Sequence, residues 1–447
     1  MGNHSTRRDF LKQVTYAGAA LPFIMSSRAR AQGDDKHPDV RIAFIGTGGI
    51  GGAHLDAMKE LGVSCPCYCD VDRNMWGKAS EQYPDAKQYQ DYRKMLDAES
   101  TNIDGVMIGV PDHQHFPATI MAMHLGVNVY TQKPLTHTVW ESRQLYRAAR
   151  KYRKLVTQMG NQGHASDNFR LLHEIIRAGG IGDVKEVYTW TDRPIWPQGM
   201  DRPAGEDPVP ENLDWDIWIG PAKMRPFKQG AYHSFVWRGW KDFGTGALGD
   251  MGCHMMDATF WGLEPEFPTS VEATKVEGMT SEAYPNKSII KWEYPANDWR
   301  PGFSQYWLDG KIMPDRPEGM AADQNLDSNG SIFIGTKGTL IMDGAGGRIT
   351  TAPAKLMEEI GNPPQLQPRS IGHYKEWVLA IKGEGRTWAN FEYSSRLAEG
   401  TLLGCVALNT GHRVEWDGEK CEATNCEVAN SLVTKEYREG WDFGAER

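Results

Sequence analysis

The chain has 447 residues, of which 40% are hydrophobic and 24% charged, and its formal charge is −9. That is enough chain for two domains with cores of their own, and the acidic balance argues against nucleic acid or any other polyanion as a partner. Seven cysteines is an odd number, so disulfide pairing does not organise the fold.

Residues 1–31 read as an export signal rather than as part of the fold. Thr6-Arg7-Arg8-Asp9-Phe10-Leu11-Lys12 resembles a twin-arginine signal, followed by a modest apolar stretch at 14–25 and a small-residue site, Ala29-Arg30-Ala31, after which cleavage is expected. The stretch is too short and too weakly apolar for stable membrane insertion. The expected partner is the twin-arginine export machinery, and the expected location is periplasmic or otherwise exported. Residues 1–31 carry five basic and one acidic side chain, so the mature chain would stand at −13.

Residues 38–160 alternate strand and helix. Strands are expected at 41–45, 64–69, 106–110, 127–131 and 155–159, with helices at 50–61, 74–82, 115–125 and 139–150, the pattern of a doubly wound parallel sheet, a Rossmann domain. Its first strand runs into Gly46-Thr47-Gly48-Gly49-Ile50-Gly51. Gly46 permits the tight turn, Gly48 lets the backbone approach a pyrophosphate, and Gly51 lets helix and strand pack closely, with the helix amino terminus facing the anion. Asp70 ends the second strand nineteen residues after Gly51, where a carboxylate can hold a ribose 2′-hydroxyl and repel a 2′-phosphate. The expected cofactor is NAD rather than NADP, with Arg73 the one neighbour that could serve a phosphate. Cys65, Cys67 and Cys69 alternate along that strand and are expected on one face; with no second ligand group nearby they read as packing, and no metal site is expected.

Residues 161–447 have a different texture. One helix (168–178) and one strand (184–190) precede a loop-rich region through Trp240, and strand-like runs follow at 288–292, 331–334 and 339–342. This is an α+β second domain on a large open, mostly antiparallel sheet, whose exposed face suits a homodimer or homotetramer. Cys253 and Cys405 look like helix core, and Cys421 with Cys426 is the one pair placed to form a disulfide. Seven of the sixteen tryptophans fall between Trp190 and Trp261. As a cluster they could stack on sugar C–H surfaces beside Asp192, Arg193, Arg238 and Asp242, although core packing accounts for any one of them alone.

Two segments carry candidate chemistry. Thr131-Gln132-Lys133-Pro134 follows a strand at the carboxyl edge of the parallel sheet, where such sheets bind their ligands. Gly244-Thr245-Gly246-Ala247-Leu248-Gly249-Asp250-Met251-Gly252-Cys253-His254-Met255-Met256-Asp257 opens a helix, with Asp250 and His254 one turn apart on one face. Taken alone, that pair is more simply a helix-start acid and a satisfied core histidine.

Together these residues resemble the glucose-fructose oxidoreductase, inositol dehydrogenase and rhizopine-catabolism family, Gfo/Idh/MocA. The resemblance runs from about Val40 to Trp416 and rests on Gln132-Lys133-Pro134 for the family's Glu-Lys-Pro, on the Asp250 to His254 helix, and on His115 after Val110-Pro111-Asp112-His113-Gln114. It implies a nicotinamide cofactor held by Gly46, Gly48, Gly49, Ile50, Gly51, Asp70, Pro111, His115, Gln132 and Lys133. The substrate, a small sugar, glycoside or polyol, would meet Lys133, Gln162, Arg238, Trp240, Asp250 and His254. Lys133, Asp250 and His254 would be catalytic: His254 exchanges the hydroxyl proton, titrating near neutral pH, Lys133 polarises the oxygen, and Asp250 binds a neighbouring hydroxyl. His164 and Tyr188 are the next bases in line. Gln132 replaces the usual glutamate and removes a charge beside Lys133. The signal, Trp237-Arg238-Gly239-Trp240 and Gly160-Asn161-Gln162-Gly163-His164 resemble secreted members acting on glycosides, some as dehydrogenases and others as redox-neutral NAD-dependent glycoside hydrolases working through transient C3 oxidation.

Overall fold

The computed structural model describes residues 36–441, so the expected export signal lies outside the described residues. Six parallel strands, β1 (Ile42–Ile45), β2 (Cys67–Cys69), β3 (Lys87–Tyr89), β4 (Gly105–Ile108), β5 (Asn128–Gln132) and β6 (Thr157–Gly160), lie in the order β3-β2-β1-β4-β5-β6. The chain reverses direction across the sheet between β1 and β4, which opens a crevice at the strands' carboxyl ends. The connecting helices are α1 (Ile50–Glu60), α2 (Gly77–Gln82), α3 (Tyr92–Glu99), α4 (His115–His124) and α5 (Val139–Lys151). Neither β3 nor α3 was expected. β3 is a three-residue edge strand whose Lys87 and Gln88 are exposed, so it leaves no apolar pattern.

Every residue of β1 and β4 is buried, as a sheet covered on both faces requires. Alternation divides them between two cores. Ala43, Ile45, Val106 and Ile108 enter one, and Ile42, Phe44 and Met107 enter the other, together with Leu55 and Met58 of α1. Cys67 and Cys69 join the first core, but Cys65 joins the second: it precedes the strand across Pro66, outside the alternation that a strand from residue 64 would have imposed.

The remaining chain forms a nine-stranded mixed sheet. Its strands are β7 (Val184–Trp190), β8 (Ser270–Glu277), β9 (Lys287–Tyr294), β10 (Phe303–Leu308), β11 (Gly330–Gly335), β12 (Thr339–Asp343), β13 (Ile349–Ala352), β14 (Val414–Asp417) and β15 (Glu422–Ala423). They are ordered β13-β12-β11-β7-β10-β9-β8-β14-β15, and within that order only β7 and β10 pair in parallel. Its helices are α6 (Asp167–Arg177), α7 (Trp215–Ile219), α8 (Gly246–Met255), α9 (Asp257–Leu263), α10 (Lys355–Ile360), α11 (His373–Ile381), α12 (Phe391–Thr410) and α13 (Glu427–Val433). The fold is therefore α/β, a parallel Rossmann sheet joined to a domain with a mostly antiparallel sheet.

The two halves interlock. Trp377 and Val378 of α11 are fully buried in the second core of the Rossmann sheet, Trp377 lying so close to Gly105 that a Cβ there would come within 2.9 Å of its ring. The carboxyl-terminal segment also straps back: Lys435 Nζ lies 2.9 Å from Glu141 Oε1, the glutamate that closes the capping box of α5 with Thr138. All seven cysteines are free, so Cys421 and Cys426 form no disulfide. No described helix is long and apolar enough to cross a membrane.

Candidate active site

The glycine-rich turn has the shape a dinucleotide needs. Gly46 has φ +86°, and a Cβ there would lie 2.5 Å from Gly109 O; a Cβ on Gly51 would lie 2.1 Å from Gly46 O. Gly49 (φ +52°) stands before Ile50 with open space beside it, and no side chain caps α1. Gly51 N and Gly52 N donate within the turn, to Gly48 O at 2.9 Å and Gly49 O at 3.1 Å, so the amino terminus of α1 is closed by backbone alone and its dipole faces outward with no side chain over it. Asp70 braces this turn: its Oδ2 accepts from Thr47 N at 2.8 Å and Gly48 N at 3.4 Å, and its Oδ1 from Asp72 N at 3.0 Å. Burial raises the Asp70 pKa, against the hydrogen bonds from Asp72 and Thr47. Arg73 is turned elsewhere, with Nη2 donating to Glu211 O at 2.6 Å.

At the ends of β4 and β5 the chain brings the other candidates together. Pro111 leads into a 3-10 turn at 112–114. His115 follows, 1% exposed, its Nδ1 2.6 Å from Pro134 O and its Nε2 2.9 Å from Val110 O. Its ring thus sits between the β4 and β5 loops, where its single N–H can donate to one of the two carbonyls. Lys133 Nζ donates to Asp250 O at 2.6 Å and Asp250 Oδ1 at 2.9 Å. Arg238 Nε donates to the same Oδ1 at 2.9 Å, so one carboxylate holds two cations. Burial alone would raise the Asp250 pKa, but Lys133 and Arg238 outweigh it and hold the carboxyl well below its ordinary range.

His254, one turn along α8, is the most informative side chain. Its Nδ1 lies 2.6 Å from Asn161 Oδ1, just past β6. Burial first, then the Lys133 ammonium, pull its pKa down to about 3, with Asp250 opposing them. The expected titration near neutral pH is therefore corrected: the ring is neutral throughout the physiological range. Behind Asn161 stands Asp257, fully buried, accepting from Asn161 Nδ2 at 2.9 Å and Tyr393 OH at 2.5 Å, and paired with His164 Nδ1 at 2.9 Å. His164 is thus a buried partner of Asp257, and Tyr188 stacks on Tyr306 in the sheet; neither is placed as a base beside Asp250.

Trp240 and Gln162 resolve differently from expectation. Trp240 is 3% exposed, donates Nε1 to Ala231 O at 2.7 Å and packs with Trp215, Trp218, Tyr232 and Phe243, so it offers no face to a sugar. Gln162 donates to the hydroxyls of Tyr130 and Tyr374, both at 3.2 Å, rather than joining Asp250. Gln132 lies over Gly160, where a Cβ would meet its Oε1 at 1.8 Å, and that Oε1 has no hydrogen-bond partner among the described residues. Sequence reasoning missed Asn161, Asp257 and also Asp112, a buried carboxyl that accepts from Thr245 Oγ1 at 2.6 Å and that burial pushes up to about 7. All three lie inside the motifs quoted above, but spacing along the chain cannot show that residues 161 and 254 touch.

Two family models match the chain: an oxidoreductase family with an NAD-binding Rossmann fold (Gfo/Idh/MocA) over residues 40–159, and the C-terminal alpha/beta domain of that oxidoreductase family over 185–296. Among curated relatives, an inositol 2-dehydrogenase of Corynebacterium glutamicum is 23% identical over 147 residues, 32% of this chain and 43% of the relative. A glycosyl hydrolase family 109 protein of Solibacter usitatus is 27% identical over 201 residues, 40% of this chain and 44% of that one. The chain spans less than half the length of these relatives. Among solved structures, the WlbA dehydrogenase of Bordetella pertussis, in complex with NADH and UDP-GlcNAcA, superposes with a TM-score of 0.58 at 16% identity, covering 85% of this chain and 99% of that one. GenD2 from gentamicin A biosynthesis, in complex with NAD, gives 0.57 at 16%, covering 87% and 99%. At these identities the likeness is one of fold.

Proposed function

The chain belongs to the Gfo/Idh/MocA oxidoreductase family, and from that premise we propose that it transfers a hydride between NAD and a hydroxyl-bearing carbon of a sugar, glycoside or polyol. The observation that carries the reading is the convergence of Lys133, Asp250 and His254 at the carboxyl edge of the parallel sheet, with Lys133 Nζ 2.9 Å from Asp250 Oδ1. When bound, NAD supplies the hydride acceptor. Gly46, Gly48, Gly49, Ile50 and Gly51 would hold its pyrophosphate, and Asp70 its adenosine ribose. NAD would be preferred to NADP because Arg73 is committed to Glu211 O and the Asp70 carboxylate at the end of β2 would repel a 2′-phosphate. As the hydride leaves, His254 Nε2 takes the hydroxyl proton, Lys133 stabilises the negative charge growing on that oxygen, and Asp250, with Arg238 behind it, orients a neighbouring hydroxyl. The inositol 2-dehydrogenase relatives support a polyol-like substrate.

A second reading, a redox-neutral glycoside hydrolase that oxidises its substrate only transiently, is favoured by the family 109 relative, whose match of 201 residues is longer than that of the inositol dehydrogenase. Both begin with the same hydride transfer. We further propose export through the twin-arginine route and a homo-oligomer in solution, which fractionation and light scattering would test.

The deciding experiment is a panel of sugars, polyols and glycosides assayed with purified protein and NAD. Net NADH production identifies the dehydrogenase, and aglycone release without net redox change identifies the hydrolase. His254→Ala should lower either activity by about two to four orders of magnitude with NAD binding nearly intact. Turnover in that variant within a few fold of wild type refutes the role of His254.

A further inference from the structure

We infer that Asn161 is a positioning residue that fixes His254 as the Nδ1–H tautomer and leaves Nε2 as the bare, proton-accepting nitrogen; this rests on the reading of His254 as the group that takes the hydroxyl proton. The hydrogen-bond network determines the orientation of the Asn161 amide. Nδ2 lies 2.8 Å from Cys253 O and 2.9 Å from Asp257 Oδ2, and of the two ends of an amide only the nitrogen can donate to a carbonyl and a carboxylate. Oδ1 must therefore be the end that faces His254 Nδ1 at 2.6 Å. An amide oxygen only accepts, so Nδ1 carries the hydrogen. A neutral imidazole has one N–H, and Nε2 is left with its lone pair.

The amide is held as firmly as a tautomer switch would need. Asp257 is fully buried and is itself gripped by Tyr393 and His164, and the Asn161 backbone is pinned on both sides, its N–H to Met159 O at 2.8 Å and its carbonyl by His164 N at 3.0 Å. Rotating the amide would set its NH₂ against His254 and bring two oxygens together at Asp257. Unlike a carboxylate, Asn161 adds no negative charge beside the ring. It orients the imidazole without stabilising the imidazolium, consistent with a ring that stays neutral. Histidine free in water favours the opposite tautomer, Nε2–H, which would turn an N–H toward the substrate hydroxyl and leave no base there.

The test is nitrogen-15 NMR of histidine-labelled protein near pH 7, with His254→Ala used to assign the signal, alongside kcat, KM and NAD binding on the substrate found in the panel. Wild type should show a protonated Nδ1 and a bare Nε2. Asn161→Ala should shift the population to Nε2–H and lower kcat by about ten- to a hundredfold, with KM and NAD binding within a few fold. A wild-type proton on Nε2, an Asn161→Ala protein that keeps Nδ1–H, or a switched tautomer with kcat within twofold of wild type would each overturn the inference. The wild-type spectrum needs neither the variant nor a substrate. A His254→Ala protein that still turns over would instead refute the functional reading, so the two failures are distinct.

Discussion

Lowering the pH is the sharpest perturbation of the proposed proton acceptor. An imidazole of ordinary pKa, about 6.5, is roughly nine-tenths protonated at pH 5.5 and so loses about tenfold in rate as a base. His254, pulled to about 3 by burial and then by Lys133, stays neutral there. Initial rates of oxidation followed at the nicotinamide absorbance should accordingly be level from about pH 8 to about pH 5 in their dependence on this group. Lys133→Met then separates the causes. A neighbouring like charge is worth about 1–3 pKa units. Burial is the larger cause and persists in the variant, so the acid limb should rise by roughly one unit and still fall short of 6.5. The plateau should drop by about 10²–10³-fold, the loss expected when a preorganised charge facing a developing oxyanion is removed. Asp250 stays ionised in the variant because Arg238 Nε remains 2.9 Å from its Oδ1. A wild-type limb near pH 6.5, or a Lys133→Met plateau within tenfold of wild type, refutes this electrostatic account.

Gly51→Ala should weaken NAD binding at least about tenfold by titration calorimetry, since its Cβ would fall 2.1 Å from Gly46 O and force the pyrophosphate turn open; unchanged affinity would place the cofactor elsewhere. Trp377→Ala, which empties a fully buried site between α11 and the Rossmann sheet, should cost about 3–5 kcal/mol in urea unfolding, and a loss under about 1 kcal/mol would mean the two halves do not depend on that contact. Acid should destabilise the protein. His54, His113, His254 and His373 are held by burial at about 3, His115 at about 4 and His137 well below its ordinary value, so below pH 6.5 the unfolded chain takes up protons the native state refuses. Asp112 and Asp309, both raised to about 7 by burial, act in the opposite sense. These histidines outnumber the two carboxyls, so stability should fall as the pH drops below 6.5, and urea midpoints unchanged between pH 7 and pH 5 would contradict it.

The Rossmann half was legible because its signals are local. A buried strand, a glycine turn, a helix and an acid follow one another within residues 42–70, and backbone sterics at Gly46 and Gly51 demand those residue types wherever the turn occurs. The neighbourhood of Lys133 and Asp250 was partly legible, since Lys133 directly follows a strand at the carboxyl edge of the parallel sheet, while Asp250 and His254 share one face of a helix. The second sheet was only partly visible. Strand β8 mixes exposed and buried positions, β10 and β13 mix half-buried and buried ones, and α12 carries Gly400 and Gly404, which read as helix breakers in one dimension. In three dimensions they are places where Phe260 and Trp292 press against the helix, so that a Cβ would come within 2.7 Å and 2.6 Å. Tertiary structure also decided which tryptophans are buried, turning Trp240 from a sugar platform into core, and it joined Asn161 to His254 across more than ninety residues of chain. Sequence specifies which groups can do chemistry; which nitrogen of His254 carries the proton depends on an amide and a carboxylate that only the folded chain brings to it.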